Sequence, residues 1–431
     1  MNADECLTGV EENWDVVIIG AGAAGLMAAA EAASGGRRTL LLEKNRKAGV
    51  KILMSGGTRC NITQATDNRG IVAAFGPSGR FLYSALAALG VAETIELFHQ
   101  EGVATKVEST GKVFPESDQA ADVLAALLRR LRRGTATLAL DEPVTEVDRH
   151  GEGFRVTTPR RVVHARKLLV TTGGQSYPGC GTRGDGYRWA AQLGHTVVTP
   201  RPALVPITTA AAWVRDLGGI TIPDVIVRVL GPADGDRHHD RQPAARRVLA
   251  EARGSLLFAH FGLSGPVILD VSRAVSGHLQ PQSLTLECDF LPALDGGAWV
   301  DSLRSQALAA GKKQLASLVA AQLPRRLCDA LLATAQLSPQ LKVSELGQRG
   351  WNEVAAIFKK LPIPVQGTLG FKKAEVTAGG VALDEINSST MQSKRVPNLF
   401  LAGEVLDLDG PIGGYNFQAA WSTGSLAGRS I

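Results

Sequence analysis

Three glycines and one carboxylate near the amino end have the types and spacing needed to hold a dinucleotide. Gly20-Ala21-Gly22-Ala23-Ala24-Gly25 directly follows the apolar run Val16–Ile19, and Glu43 closes a second apolar run, Leu40–Leu42. In a strand–turn–helix of this kind Gly20 permits the tight turn. Gly22 lets backbone N–H groups approach a pyrophosphate, and Gly25 lets the helix pack closely on the strand. The helix N-terminus adds free N–H groups and a partial positive charge. Glu43 can accept hydrogen bonds from the ribose hydroxyls of an adenosine half.

A nicotinamide or a flavin dinucleotide would suit that turn, and two further glycine clusters decide between them. Leu168-Leu169-Val170-Thr171-Thr172 runs into Gly173-Gly174, and Leu399-Phe400-Leu401-Ala402 runs into Gly403-Glu404. The second is followed by Gly410-Pro411-Ile412-Gly413-Gly414-Tyr415, a glycine loop opening a small-residue helix. Such a helix N-terminus would stabilise negative charge on a reduced flavin ring, a use that nicotinamide does not have. An elongated FAD needs contacts from separate parts of the chain. No second GxGxxG follows a strand, so NADH or NADPH is expected to dock transiently as electron donor.

Positioning these clusters requires alternating strands and helices. The pattern predicts a helix over 26–33 and a loop over 51–63. Helices are expected over 80–90, 92–101 and 118–133, with a β-rich section at 103–114. Strands are expected at 137–140, 144–148, 154–157, 162–166 and 167–172, and a helix at 186–193. This describes a doubly wound α/β sheet with a β-meander as crossover. Pro200, Pro202 and Pro206, then Pro362 and Pro364, bracket a different region. It reads as short strands (220–222, 225–230, 247–250, 256–259, 284–289) followed by a Leu/Ala/Gln-rich helical part. A hairpin-like 373–383 marks the return. The expected organisation is a Rossmann-type FAD-binding domain from 1–196 and 367–431. An inserted domain occupies 197–366, β-barrel-like and β-rich to 290, helical from 291.

Composition narrows the classes. The 431 residues exceed one ordinary core, and 45% apolar with 20% charged residues describes a globular chain. The longest apolar stretch, 16–30, is the glycine motif itself and is too short to span a membrane. Asp4, Glu5, Glu11 and Glu12 stand where a secretory signal needs basic residues. Five scattered cysteines (Cys6, Cys60, Cys180, Cys288, Cys328) without a CxxC pair argue for reduced thiols and a cytoplasmic location, against disulfides or zinc. Asp236-Arg237-His238-His239-Asp240 reads as an exposed loop, and no metal is expected. Net charge is +5. The densest basic run, Arg129-Arg130-Leu131-Arg132-Arg133, reads as a solvated helix end. No aromatic-interleaved basic stripe is present, so nucleic acid is an unexpected partner and a small molecule the expected substrate.

The chain resembles the BaiN-type flavoproteins, also labelled aminoacetone-oxidase-family FAD-binding enzymes, within the glutathione-reductase-like FAD fold. The resemblance covers nearly the whole chain. It is carried by Asp15–Gly25, Glu43-Lys44, Ser55-Gly56-Gly57-Thr58-Arg59-Cys60-Asn61, Gly173–Pro178, Gly181–Tyr187, Pro202–Pro206, His260–Pro266 and Gly403–Gln418. It implies that Gly20, Gly22, Ala24, Gly25, Glu43 and Lys44 hold the ADP half. Ser55, Gly57, Arg59, Cys60 and Asn61 would approach the pyrophosphate and flavin, with Lys51 and Arg59 neutralising the phosphates. Val144 would meet the adenine through its backbone, and Thr172, Gly173 and Gly174 would line the cofactor edge. Gly403, Glu404, Asp409, Gly414, Tyr415, Asn416 and Phe417 would surround the ribityl chain and ring. Two departures stand out: Thr58 where the run usually has glycine, and Arg183 where threonine is common.

The resemblance further implies one of two reactions. In the first, hydride from the flavin reduces a carbon–carbon double bond conjugated to a carbonyl. In the second, a small amine is oxidised and oxygen restores the flavin. Reduction is the preferred reading, with Tyr415, Tyr177 and His260 as candidate proton donors. A flavin-dependent nucleic-acid-modifying or regulatory protein is the reading from a different class. Disulfide reduction is disfavoured because Cys60 has no close partner in sequence.

Overall fold

A computed structural model describes residues 12–232, 246–309 and 313–431. Asp4, Glu5, Cys6, Glu11 and the 236–240 histidine segment lie outside the described residues. The chain divides into two compact units, Met1–Pro202 with Glu375–Ile431, and Ala203–Ala374.

The first unit is built on parallel strands. Thr137–Ala139, Thr39–Leu42, Glu12–Ile19, Val162–Val170 and Leu399–Leu401 lie side by side in that order. Their pairing puts Ala139, Leu42, Ile19, Val170 and Leu401 in one row. The residues that follow each of these therefore emerge along a single carboxyl edge. With about 4.8 Å between neighbouring strands, that edge spans about 19 Å, and only an elongated ligand touches all of it. Val16, Val17, Ile18, Leu40, Leu41, Leu168 and Leu169 are all fully buried. Because both sheet faces are covered, these strands read as unbroken apolar runs. The first helix, Ala23–Ser34, packs against the last, Tyr415–Ser430. A Cβ on Gly424 or Gly428 would lie 2.4 Å from the carbonyl oxygen of Ala24 or Ala28.

Several local expectations are corrected. The two strands expected at 162–166 and 167–172 are one, Val162–Val170, which exchanges partners along its length. Its first half pairs antiparallel with Gly153–Thr157, and its second half pairs parallel with Leu399–Leu401. The expected loop over 51–63 begins as a helix, since Val50–Met54 are helical before the backbone turns at Ser55. The 373–383 hairpin is instead a strand, Val376–Val381, paired with Val197–Ala203.

The second unit carries a seven-stranded antiparallel sheet. Leu361–Pro364 and Gly367–Thr368 occupy its two ends, yet only Val365 and Gln366 separate them in sequence. Two residues reach about 10 Å at most, so the sheet must curl until its ends lie close together. Pro362 and Pro364 sit on an edge strand, where the missing N–H is tolerated. The expected pairs 220–222/225–230 and 247–250/256–259 are single long strands, Thr221–Leu230 and Val248–Ala259, with a register shift between Ile222 and Val225. Helices Gly296–Ala309, Arg325–Thr334 and Gln348–Lys359 complete this unit, around a core that includes Phe258, Phe290 and Phe358. Among the described residues no single helix is long and apolar enough to cross a membrane.

Candidate cofactor site

The glycine turn is closed by backbone contacts. The Gly20 N–H donates to the Leu42 carbonyl at 2.8 Å, and its φ of +104° favours glycine. A Cβ at Gly25 would lie 1.9 Å from the Gly20 carbonyl oxygen, so only glycine lets the helix sit on the turn. Gly22 is different, because a Cβ there would meet nothing within 4 Å. The helix Ala23–Ser34 has no capping side chain and no acidic residue in its first turn. Its N–H groups and positive dipole end therefore suit an anion. Buried Ala24 faces Gly403, where a Cβ would come within 2.9 Å of the Ala24 Cβ. The amino-terminal turn and the carboxyl-terminal strand thus meet. Gly403, φ +79°, also donates to Thr423 Oγ1 at 3.0 Å.

Glu43 is buried and already engaged. Its Oε2 accepts the Ala21 N–H at 2.8 Å, and its Oε1 accepts the Asn45 N–H and Nδ2 at 2.9 and 2.8 Å. A carboxylate has about four acceptor sites, so this anchoring leaves capacity for a ribose hydroxyl. Asn45 Nδ2 also reaches the Cys180 carbonyl at 3.0 Å, and Lys44 pairs with Asp185 at 2.5 Å. Both contacts tie the 180–185 loop to the residues after Glu43. Val144, half-buried against the core, precedes the strand Glu146–His150 instead of starting it.

The segment Ser55–Asn61 is a run of left-handed conformations, with φ of +56°, +67°, +72° and +61° at Gly56, Gly57, Thr58 and Cys60. Thr58 occupies a conformation that costs an L-residue about 1–2 kcal/mol, which accounts for glycine being the usual occupant. Nothing lies within 4 Å of a Cβ placed on Gly57. Cys60 is fully buried, and burial pushes its thiol up to about 12 against the lowering effect of a Ser55 hydrogen bond. Such burial suits a packed thiol and keeps it protonated. Cys180, Cys288 and Cys328 are likewise free. Buried Asn61 Oδ1 and Thr172 Oγ1 find no hydrogen-bond partner among the described residues. Leaving such atoms unpaired costs about 1–3 kcal/mol each unless a ligand supplies the partner. These two orphaned oxygens, the open faces of Gly22 and Gly57, and the uncapped helix fit a polar, anionic, elongated cofactor.

The two cations expected at the phosphates are arranged otherwise. Arg59 donates to Glu108 at 2.7 Å and lies over the Phe114 ring at 3.9 Å, with Asp118 at 3.5 Å. Lys51 Nζ lies 2.6 Å from Glu404 Oε2 and 2.7 Å from Ser176 Oγ. Glu404 Oε1 accepts from both Ser176 Oγ, at 2.7 Å, and the Thr377 N–H, at 2.9 Å. Lys51 and Glu404 therefore join three cofactor-edge segments in one charged cluster. Asn45 and Thr377 escaped notice in the sequence because each lies outside any glycine motif. Gly173 has φ +71°, and a Cβ on Gly174 would strike Thr377 Oγ1 at 2.4 Å.

At the third cluster Gly414, φ +94°, precedes the helix Tyr415–Ser430, again without a capping side chain or first-turn acid. A Cβ there would lie 2.5 Å from the Thr63 backbone. The Asn416 side chain clamps the loop by accepting the Gly410 N–H at 2.8 Å and donating to the Gly410 carbonyl at 3.0 Å. Phe417 stacks on Trp421 with ring centroids 5.3 Å apart, and Asp409 is buried. Tyr415 is half-buried, and Tyr177 holds a left-handed backbone, φ +55°. His260 belongs to the second unit, exposed at the turn between Val248–Ala259 and Gly262–Ser264. Among the described residues no cluster of metal-ligating side chains occurs.

A family model described as "HI0933-like protein Rossmann domain" matches residues 14–430. The chain belongs to this family. One relative, "Ribosomal RNA dihydrouridine synthase" of Escherichia coli (strain K12), is 34% identical over 96% of both chains. A protein of the same name from Haemophilus influenzae is 31% identical, over 96% of this chain and 98% of its own. "3-dehydro-bile acid delta(4,6)-reductase" of Clostridium scindens is 30% identical over the same shares. In fold the chain is similar to a 3-ketosteroid-delta4-(5alpha)-dehydrogenase from Rhodococcus jostii RHA1, with a TM-score of 0.53, 14% identity and coverage of 99% and 98%. Membership of this family makes the protein an FAD-dependent oxidoreductase of Rossmann type. The expectation that nucleic acid is an unlikely partner does not stand, since two of these relatives are named for an RNA reaction. That expectation rested on the lack of an aromatic-interleaved basic stripe, and cations scattered in sequence can still gather on one surface of a fold.

Proposed function

We propose that this protein reduces a carbon–carbon double bond conjugated to a carbonyl, with NADH or NADPH as electron source and a uridine of ribosomal RNA as substrate. One observation carries the reading. Relatives named for dihydrouridine formation and for bile-acid Δ4,6 reduction, both matched over almost their whole length, point to a single bond type. The uracil C5=C6 bond is conjugated to the C4 carbonyl, as a steroid enone is to its own. Dihydrouridine differs from uridine by two hydrogens across that bond. The greater identity to the RNA-named relative favours uridine, and the bile-acid relative supports a steroid-like enone as the second reading. A cytoplasmic location, where reduced nicotinamide and ribosomal RNA meet, fits the same reading.

FAD, when bound, supplies the hydride for the β-carbon and is restored by the nicotinamide. The chain's own tasks are to hold that cofactor and to provide a proton for the α-carbon. Gly20, Gly22 and Gly25 with the first helix N-terminus would hold the pyrophosphate. Asn61 and Thr172 would complete their hydrogen bonds to the cofactor's polar groups. Tyr415 and Tyr177, on glycine-rich segments of the first unit, are the proposed proton donors, with His260 the candidate from the second unit.

The test separates reductase from oxidase. Protein reduced by NADPH is mixed anaerobically with a steroid enone or uridine-containing RNA, and separately with oxygen and no other acceptor. Rapid return of the oxidised flavin spectrum with a conjugated acceptor, and slow return with oxygen, is expected. Rapid reoxidation by oxygen with none by either acceptor would defeat the reductase reading.

A further inference from the structure

The first unit carries a groove of about 430 Å³ between the segment after Glu43, the helix Ala120–Arg132 and the strand Thr137–Ala139. Leu53, Leu124, Leu128 and Leu138 contribute apolar walls, and the charged residues lining it are all cations: Arg46, Lys47 and Arg132. All three are exposed, and none of their side chains forms a hydrogen bond or ion pair with another described residue. This contrasts with the rest of the same basic helix end. Arg130 pairs with Glu31 at 2.6 Å, Arg133 with Glu101, and Arg129 donates to the Glu101 carbonyl. Acids that compensate the neighbours leave the groove cations alone.

The groove's position connects it to the cofactor edge. Arg46 and Lys47 follow Glu43 by three and four residues. The 180–185 loop, fixed to that segment by Asn45 and Lys44, carries Arg183, which is also exposed and unpaired among the described residues. Arg46 and Lys47 thus lie beside the edge where the parallel strands end, while Arg132, last residue of the helix Ala120–Arg132, lies towards the start of Thr137–Ala139, so the groove's cations stand at both of its ends. No aromatic side chain lines the groove, so it offers bases no stacking platform. Its chemistry suits a phosphate chain, with ribose carbons against the leucines and phosphates at the cations.

Resting on the proposed RNA substrate, we infer that Arg46, Lys47 and Arg132 form a docking surface for the phosphate backbone of single-stranded ribosomal RNA, running along the groove from the segment after Glu43. The contact is independent of sequence. It contributes affinity and placement, while choice of the target uridine lies elsewhere.

The test uses the FAD-loaded full-length protein and a variant combining Arg46→Gln, Lys47→Gln and Arg132→Gln. Binding of a single-stranded ribosomal RNA fragment is measured across a range of salt concentrations. Loss of three phosphate contacts is expected to lower the magnitude of the log K against log [salt] slope by about 2. Affinity at low salt should fall about tenfold or more, equally for fragments of different sequence. FAD content and the rate of NADPH-driven flavin reduction should match the parent. A parent that binds RNA and a variant that binds it with the same slope would overturn this surface while leaving the RNA reading intact. A parent that neither binds nor modifies RNA would overturn both. Loss of FAD from the variant, or parent binding to phosphatidylserine vesicles in preference to RNA, would assign the cations to another ligand and overturn the proposal.

Discussion

Gly25→Ala is expected to yield protein without flavin and with a damaged first unit, whereas Gly22→Ala should fold as the parent does and bind FAD more weakly. The two glycines sit three residues apart in one motif, but they face different things. The added methyl of Gly25→Ala would lie 1.9 Å from the Gly20 carbonyl oxygen and 2.7 Å from Thr171 Oγ1. Because the first obstacle is backbone, no side-chain rotation relieves it. Overpacking of this kind costs about 3 kcal/mol or more and would force the turn open. At Gly22 the added methyl meets nothing, and its φ of −84° suits any residue. The methyl would instead occupy the face offered to the cofactor. A tenfold loss of FAD affinity, about 1.4 kcal/mol, with unchanged stability of the flavin-free protein is the expected signature. Fluorescence titration with FAD and urea unfolding of the apoprotein measure the two effects separately. A flavin-free Gly22→Ala variant as unstable as Gly25→Ala would show that Gly22 is packed and not open.

His195→Ala should destabilise the first unit by about 2–4 kcal/mol and flatten its loss of stability in mild acid. The His195 side chain is wholly buried, with Nδ1 3.0 Å from Glu385 and Nε2 2.8 Å from Ser393 Oγ. Ser393 Oγ already accepts the N–H groups of Arg395 and Val396 at 3.0 and 2.8 Å. It therefore gives its one hydrogen to Nε2, and the imidazole is neutral with its proton on Nδ1. The serine, histidine and glutamate have the spacing of a hydrolytic triad. Buried Ser393, with its lone pairs committed, cannot attack anything; the chain is a structural lock.

Burial outweighs the opposing pull of Glu385 and holds the His195 imidazole below its usual 6.5, with Arg395 lowering it further. Burial acts to raise Glu385, but its bonds from Thr196 and its pairing with Arg395 prevail and bring it to about 2. Both groups bind protons more readily when unfolded, so both make stability fall as pH falls. The histidine contribution is present above pH 6.5 and lost below it. The carboxylate contribution is present above 4.5 and lost towards 2. Urea midpoints for parent and variant across this range should converge on acidification. Parallel curves would mean that His195 titrates normally in the folded protein.

The glycine motifs were legible in the sequence because backbone geometry at Gly20, Gly25, Gly403 and Gly414 leaves no alternative residue, and that constraint is local. Long-range pairing was not. Nothing local announces that Lys51 finds Glu404, or that Arg59 finds Glu108, because partners far apart in sequence are set by the fold. The same holds for Val162–Val170, read as two strands because its burial pattern changes where its partner changes. The proposed RNA-docking groove was hidden for a related reason. Arg132 lies eighty-five or more residues from Arg46 and Lys47 in sequence, and it is the fold, through the parallel pairing of Thr39–Leu42 with Thr137–Ala139, that brings their segments to one groove.

The most direct test is chemical. FAD-loaded protein is mixed anaerobically with NADPH and unmodified ribosomal RNA, and the RNA nucleosides are then analysed by mass spectrometry. Uridine heavier by two hydrogens, formed only with both FAD and NADPH present, is the predicted product. Oxidation of NADPH without any such nucleoside, while a steroid enone is reduced under the same conditions, would contradict the RNA assignment.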